Sequence, residues 1–398
     1  MAADPTTLKT NPAVSTPINV RSGSDASILV GHHFPELDGI RGIAICLVLV
    51  FHCKSIASPS TPLASFYVTV ASIGWIGVDL FFVLSGFLIT AILLDTFDSQ
   101  NYFRSFYTRR ILRILPLYYV SVAIWTLANW LLPSNRLESS HAIATLSYWF
   151  YLQNWLPLFG ISPPTVLIHF WSLAVEEQFY LIWPILIRFT AKRGSAQSLC
   201  IVTVLGAVLL RAVLVLFGST EIAFYFTLSR VDALAFGACV AVCFKLHGTL
   251  VPFRRPGVVL FLFGSAIVLL IMFQQQGFYN LNPLVLLVGT FPLGLAFGCF
   301  LIVLLTSPGF GLLRVFFRNR VLKFFGQISY GIYVFHWPIT LISKKMWPDI
   351  TNDFWLRQIM FLVFVTTCSM ALAYVSFRYF ESPILRQKHK LAPLQSTY

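Results

Sequence analysis

Charge is scarce in this 398-residue chain: Asp, Glu, Lys and Arg together make up 11% of it, while 57% is hydrophobic and mean hydropathy is +0.77. An ordinary soluble fold is excluded, because about 45–50% apolar residues already suffice for one. Acids are scarcer than bases, 15 against 28 Lys and Arg. The bases fall in short clusters between apolar spans, which argues against a nucleic-acid groove and fits the cytosolic bias of basic loops in membrane proteins. Seven cysteines are scattered, nearly all within apolar runs, and Cys239 with Cys243 has no second cysteine pair beside it. They read as small apolar side chains, with neither a disulfide framework nor a metal site expected. There is no P-loop, no Gly-x-Ser-x-Gly elbow and no obvious internal repeat. Nor is there a cationic start followed by an apolar leader. Residues 1–36 are polar, rich in Ser, Thr, Pro and Ala, and are expected to form a disordered tail.

What is present is a series of apolar runs with 38 Phe, 10 Trp and 15 Tyr, a composition that suits a helical bundle with aromatic belts at both interfaces. The expected fold is all-α: a polytopic membrane bundle of about ten transmembrane helices, near 39–57, 73–94, 111–132, 171–190, 198–217, 224–245, 257–273, 284–306, 324–343 and 358–378. Each has about the 20 residues that cross the hydrocarbon. Residues 141–159 are aromatic and only partly apolar, and are expected to be re-entrant or interfacial. Arg104, Arg109, Arg110 and Arg113 follow the second span, Arg188, Lys192 and Arg193 the fourth, Lys245, Arg254 and Arg255 the sixth. Arg314, Arg318, Arg320 and Lys323 follow the eighth, and Arg386, Lys388 and Lys390 the tenth. The alternate loops carry few bases or balanced charge. This pattern places both termini in the cytosol and the chain in the cytoplasmic membrane as a multi-pass protein. A membrane domain over 37–383 and a short basic cytosolic tail over 384–398 complete the division.

Polar residues stand out against such a background, since ionisable groups inside a bilayer are costly and usually functional. Arg41 and His52 lie eleven residues apart, about 20° past three full turns, so they share a helix face about 16 Å apart along the axis. Asp38, one turn before Arg41, can pair with it. Arg110 and Arg113 are three apart and aim one way. With Arg41 they suit a multivalent clamp for phosphate or carboxylate, although a positive-inside anchor is the commoner fate of any one arginine at a span end. Glu176 and Glu177 begin the fourth span, where at most one can easily face the bundle centre and serve as acid, base or orienting group. The other reading is a solvated interfacial pair. Asp79, Arg230, Asp232 and His336 are further candidates. Arg230 and Asp232 are expected to neutralise one another or a neighbour, and each of the four is more often structural than catalytic. A deep histidine beside an arginine clamp suits acyl transfer, which needs a base for the attacking hydroxyl.

Several motifs in order then carry a resemblance. They are Leu37-Asp38-Gly39-x-Arg41-Gly42, Phe51-His52, Gly77-Val78-Asp79-Leu80-Phe81-Phe82-Val83-Leu84-Ser85-Gly86-Phe87, and Arg109-Arg110-x-x-Arg113-Ile114-x-Pro116. Trp171-Ser172-Leu173-x-Val175-Glu176, Ile328-Ser329-Tyr330-Gly331-x-Tyr333, His336-x-Pro338 and Glu381-x-Pro383 follow. From Leu37 to about Pro383 the chain resembles the acyltransferase-3 family of integral membrane O-acyltransferases. The resemblance implies ten spans and a cytosolic acyl-coenzyme A, most simply acetyl-coenzyme A, as co-substrate. The acceptor it implies is a hydroxyl of a carbohydrate, glycolipid or similar molecule. It carries the family's Arg-x10-His motif onto Arg41 and His52, with His52 as essential base, and its Arg-x-x-Arg motif onto Arg110 and Arg113, at the coenzyme A phosphates. Glu176 matches the acidic position after Trp-Ser-Leu. Members without a fused esterase-like domain act alone, and this chain is expected to do so. A competing class is a transporter or flippase of a lipid-linked or anionic substrate, which broken spans in matching halves would favour; no such pair is found.

Overall fold

A backbone in hydrocarbon has to satisfy its own polar groups, which helices do within one segment. In a computed structural model of the chain, describing residues 34–54, 58–59, 61–131, 139–308, 311–347 and 353–391, helices and their 3-10 and π turns are the regular structure formed. Most of the expected tail, residues 1–33, lies outside the described residues. Helix α1 spans Pro35–Cys53, with Pro at its first position, where a missing N–H costs nothing. It therefore starts inside the segment read as tail, and Glu36 is buried, 2.8 Å from Arg318 and 3.3 Å from Arg314. Helix α2 (Pro62–Ala71), capped by the Thr61 hydroxyl, runs through a 3-10 turn into α3 (Ile76–Asp95). Then come α4 (Tyr102–Leu131), α5 (Ser139–Trp149), α6 (Trp171–Lys192), α7 (Ala196–Leu216), α8 (Thr220–Tyr225), α9 (Val231–His247) and α10 (Arg254–Gln274). A π turn leads into α11 (Thr290–Thr306), followed by α12 (Leu312–Phe317), α13 (Arg320–Gln327), α14 (Ser329–Met346) and α15 (Phe354–Ser376).

Among the described residues, six helical stretches are long and apolar enough to cross a membrane: 62–95, 102–131, 196–216, 251–274, 285–306 and 354–386. The protein is thus a multi-pass membrane protein with an all-helical fold. The four other expected spans form α1, α6, α9 and α14, of 19, 22, 17 and 18 residues. These helices are short or interrupted by polar groups: Arg41 and His52 in α1, Glu176 and Glu177 in α6, Asp232 in α9, His336 in α14. Helix α5 has 11 residues, a rise of only about 16 Å, roughly half the hydrocarbon thickness.

The bundle has an inside and a rim. The most apolar window of 62–95 is 72% buried, against 28% in α7 and 22% in α10. Close backbone approach makes the inside possible. A Cβ at Gly86 in α3 would overlap the Leu234 carbonyl of α9, and one at Gly237 in α9 would overlap the Val83 carbonyl of α3. Small residues commonly let membrane helices meet in this way. Gly42 in α1 and Gly326 in α13 allow the same approach.

Two buried ion pairs lock the inside. Arg230 reaches Asp79 at 2.7 Å, and Arg211 reaches Asp232 at 2.8 Å. So Arg230 and Asp232 do not neutralise one another; each takes a neighbour. Arg211 also donates to the Ser229 carbonyl at 2.6 Å and the Leu286 carbonyl at 3.1 Å. The Arg230 guanidinium sits among the rings of Trp75, Trp171 and Phe224.

Candidate active site

One pocket gathers four of the residues that the sequence singled out. Arg41 from α1, Arg110 and Arg113 from α4 and Glu176 from α6 all line it. The i,i+3 spacing of Arg110 and Arg113 places both on one side of α4, and Asp38 pairs with Arg41 at 3.5 Å. Arg110 stands 5.5 Å above the Tyr180 ring. Tyr180 is hydrogen-bonded to Ser85 of α3, and both line the pocket beside Glu176. Three cations and one acid among the lining residues leave the pocket electropositive. Of the two adjacent acids only Glu176 faces it. Glu177 turns away, and its buried Oε1 has no hydrogen-bond partner. Asp79, Arg230 and Asp232 do not line the pocket. They belong to the frame.

His52 also stands apart from this pocket, within a second cluster reached along its wall. Ser172 and Tyr333 are lining residues whose hydroxyl oxygens are 2.5 Å apart. Tyr333 donates to the His169 carbonyl at 2.7 Å, so the Ser172 hydroxyl is the donor between the two. The Tyr333 ring centroid is 5.5 Å from both His169 and His336. His336 Nε2 is 3.1 Å from His52 Nδ1, which is also 3.0 Å from the Val48 carbonyl. The His52 ring packs 4.6 Å from Trp337. Three imidazoles and a tyrosine thus fill the space beyond the arginine pocket. Among the described residues no group of three or more His, Cys, Asp or Glu could hold a metal ion.

Proline shapes this cluster. Pro338 has no N–H, so the Val334 carbonyl one turn earlier loses its helical donor. His169 Nε2 lies 3.3 Å from that oxygen and supplies the missing hydrogen bond. Sequence reasoning missed His169, Ser85, Tyr180 and Tyr333 as parts of the site. For His169 the signal was its place three residues before Ser172. Ser85 and Tyr333 stood inside quoted motifs without a role.

Residues 34–374 match the family profile of an acyltransferase domain, acyltransferase-3. Among curated relatives, the peptidoglycan O-acetyltransferase OatA of Listeria monocytogenes is 28% identical over 368 residues, 88% of this chain and 56% of the relative. The Bacillus subtilis protein YrhL, provisionally named for the same activity, is 30% identical over 381 residues, 89% of this chain and 56% of its own length. A Staphylococcus aureus protein provisionally named an O-acetyltransferase is 27% identical over 401 residues, covering 92% and 59%. The chain spans little more than half the length of these relatives. No solved structure matches it significantly. Every residue of the pocket and of the histidine cluster falls inside the matched stretch, and the chain belongs to the acyltransferase-3 family of membrane acyltransferases.

Proposed function

We propose that this chain, through a membrane domain over 37–383, moves an acetyl group from cytosolic acetyl-coenzyme A to a hydroxyl of a sugar or glycoconjugate. The observation that carries the reading is the convergence of Arg41, Arg110, Arg113 and Glu176, from three helices, on one pocket that adjoins the cluster holding His52. The arginines grip the donor phosphates, for which planar guanidiniums are suited. The acyl group, at the end of a long flexible arm, reaches past Tyr333 toward His52. There the acceptor oxygen attacks the acyl carbonyl carbon while His52 takes its proton. The thioester carbon–sulfur bond then breaks, and the proton returns from His52 to the leaving sulfur. Glu176, beside Ser85 and Tyr180 on that wall of the pocket, balances the arginine charge. The relatives named as peptidoglycan O-acetyltransferases support a sugar-polymer acceptor.

In this reading α1, α6, α9 and α14 join the six apolar helices as spans of the cytoplasmic membrane. Their lengths fall within the roughly 17–25 residues that crossing requires, and their polar groups are covered by neighbouring helices. Both termini then face the cytosol. An impermeant thiol reagent applied outside should modify Gln275→Cys and leave Leu312→Cys untouched, in a background without reactive native thiols. The opposite labelling would overturn the orientation.

The activity is tested with the protein in proteoliposomes, given labelled acetyl-coenzyme A and soluble peptidoglycan fragments. Wild type should transfer the label. His52→Ala should lose about 10²–10⁴-fold in rate, the usual contribution of a general base, with coenzyme A binding intact. Wild-type turnover in a folded His52→Ala protein would sink the role of His52.

A further inference from the structure

We propose that His336 is a positioning residue: it holds His52 in the tautomer with the proton on Nδ1 and thereby leaves Nε2 bare for the acceptor hydroxyl. The proposal rests on the reading of His52 as the base. It follows from counting donors. A neutral imidazole has one N–H and one lone pair. Nδ1 of His336 lies 2.7 Å from the Tyr333 carbonyl and 3.2 Å from the Ile332 carbonyl. Both oxygens only accept, so this nitrogen carries the proton. Nε2 of His336 therefore offers a lone pair, and at 3.1 Å it faces Nδ1 of His52. Two lone pairs do not face each other at that distance, so Nδ1 of His52 is the donor. The Val48 carbonyl, 3.0 Å away, asks for the same proton. Nε2 of His52 has no hydrogen-bond partner among the described residues.

His336 is well placed to hold another ring still. It is fully buried, its own carbonyl accepts from Thr340 at 2.7 Å, and its ring packs between Tyr333 and His169. With both nitrogens engaged, it has none left for substrate. When the acceptor oxygen attacks the acyl carbon, its proton moves to Nε2 of His52. The Nδ1–H bond to His336 then becomes charge-assisted and strengthens until Nε2 passes the proton to the leaving sulfur. The orienting partner of a catalytic histidine acts in the same way in hydrolytic triads.

The direct test is 15N NMR of histidine-labelled protein in nanodiscs, with His52→Ala used to assign the His52 signals. Wild type should show His52 protonated at Nδ1 and bare at Nε2; the reverse pattern would overturn the proposal without any His336 variant. His336→Met keeps the bulk and removes the acceptor, while His336→Gln returns a carbonyl near the position of Nε2. His336→Met should lower kcat by about 10–100-fold, the range for partners that orient a ligand histidine, with KM for acetyl-coenzyme A unchanged and both His52 tautomers populated. His336→Gln should recover most of kcat. Wild-type kcat in His336→Met would show that the Val48 carbonyl alone fixes the tautomer. Equal losses in the Met and Gln variants would show a merely structural role. An active His52→Ala protein instead sinks the base reading itself, so the two failures are distinguishable.

Discussion

The bundle holds two sets of arginines, and they differ in what faces them. In the frame, Arg211 and Arg230 are each 1% exposed and each meets a carboxylate within 2.8 Å. In the pocket, Arg110 and Arg113 have no ion-pair partner among the described residues, and Arg41 has Asp38 only at 3.5 Å. A buried charge has to be paired, because desolvation alone costs several kcal/mol. Charges left unpaired on a pocket wall are available to a charged ligand. The same distinction runs through the histidines, where His336 has both nitrogens engaged and His52 has one open. Pairing separates the residues that build the site from those expected to touch substrate.

The comparison breaks most easily at the frame. Arg211→Leu leaves Asp232 buried without its partner and frees the Ser229 and Leu286 carbonyls. Breaking a buried pair from one side costs about 3–5 kcal/mol, enough to lose most folded protein at growth temperature. Replacing both partners, Arg211→Leu with Asp232→Leu, should recover much of that loss. Thermal unfolding in detergent, read by size-exclusion chromatography, makes the comparison. A stable single variant would mean that the pair is solvated and that the contrast with the pocket fails.

Legibility followed the range of the interactions involved. Hydropathy alone located the six apolar helices, because each carries its signal within one segment. Helices α1, α6, α9 and α14 were found despite their polar residues, which interrupt the signal where the frame and the site are built. The short helices α8, α12 and α13 were not anticipated, and α2 extends the second apolar stretch ahead of its expected start. In the candidate site, Arg41 and His52 were singled out by helical period, and Arg110 with Arg113 by spacing. The partners were not. His52 meets a histidine 284 residues away, and Arg211 serves an aspartate 21 residues on, beyond α8. Pro338 announced a carbonyl short of a donor, but not that His169, 165 residues earlier than Val334, supplies it. Glycine packing was equally hidden, since Gly86 and Gly237 reveal their role only once α3 and α9 touch.

The finest test of the comparison lies in the pocket itself. If Arg113 only satisfies the basic bias of cytosolic loops, lysine replaces it at no loss, because the charge is the same. If it grips a phosphate through two parallel N–H bonds, lysine cannot reproduce the fork. Arg113 is exposed and makes no ion pair within 4 Å among the described residues, so Arg113→Lys should leave stability within about 0.5 kcal/mol, as at other surface sites. Losing one charge-assisted bond should then weaken coenzyme A binding by about 1.5–3 kcal/mol, roughly 10–150-fold. His52→Ala, acting on the acceptor, should bind coenzyme A as wild type does. Isothermal titration into both variants reads the contrast directly. Equal affinity in Arg113→Lys and wild type would return that arginine to an anchoring role and leave Arg41 and Arg110 as the clamp.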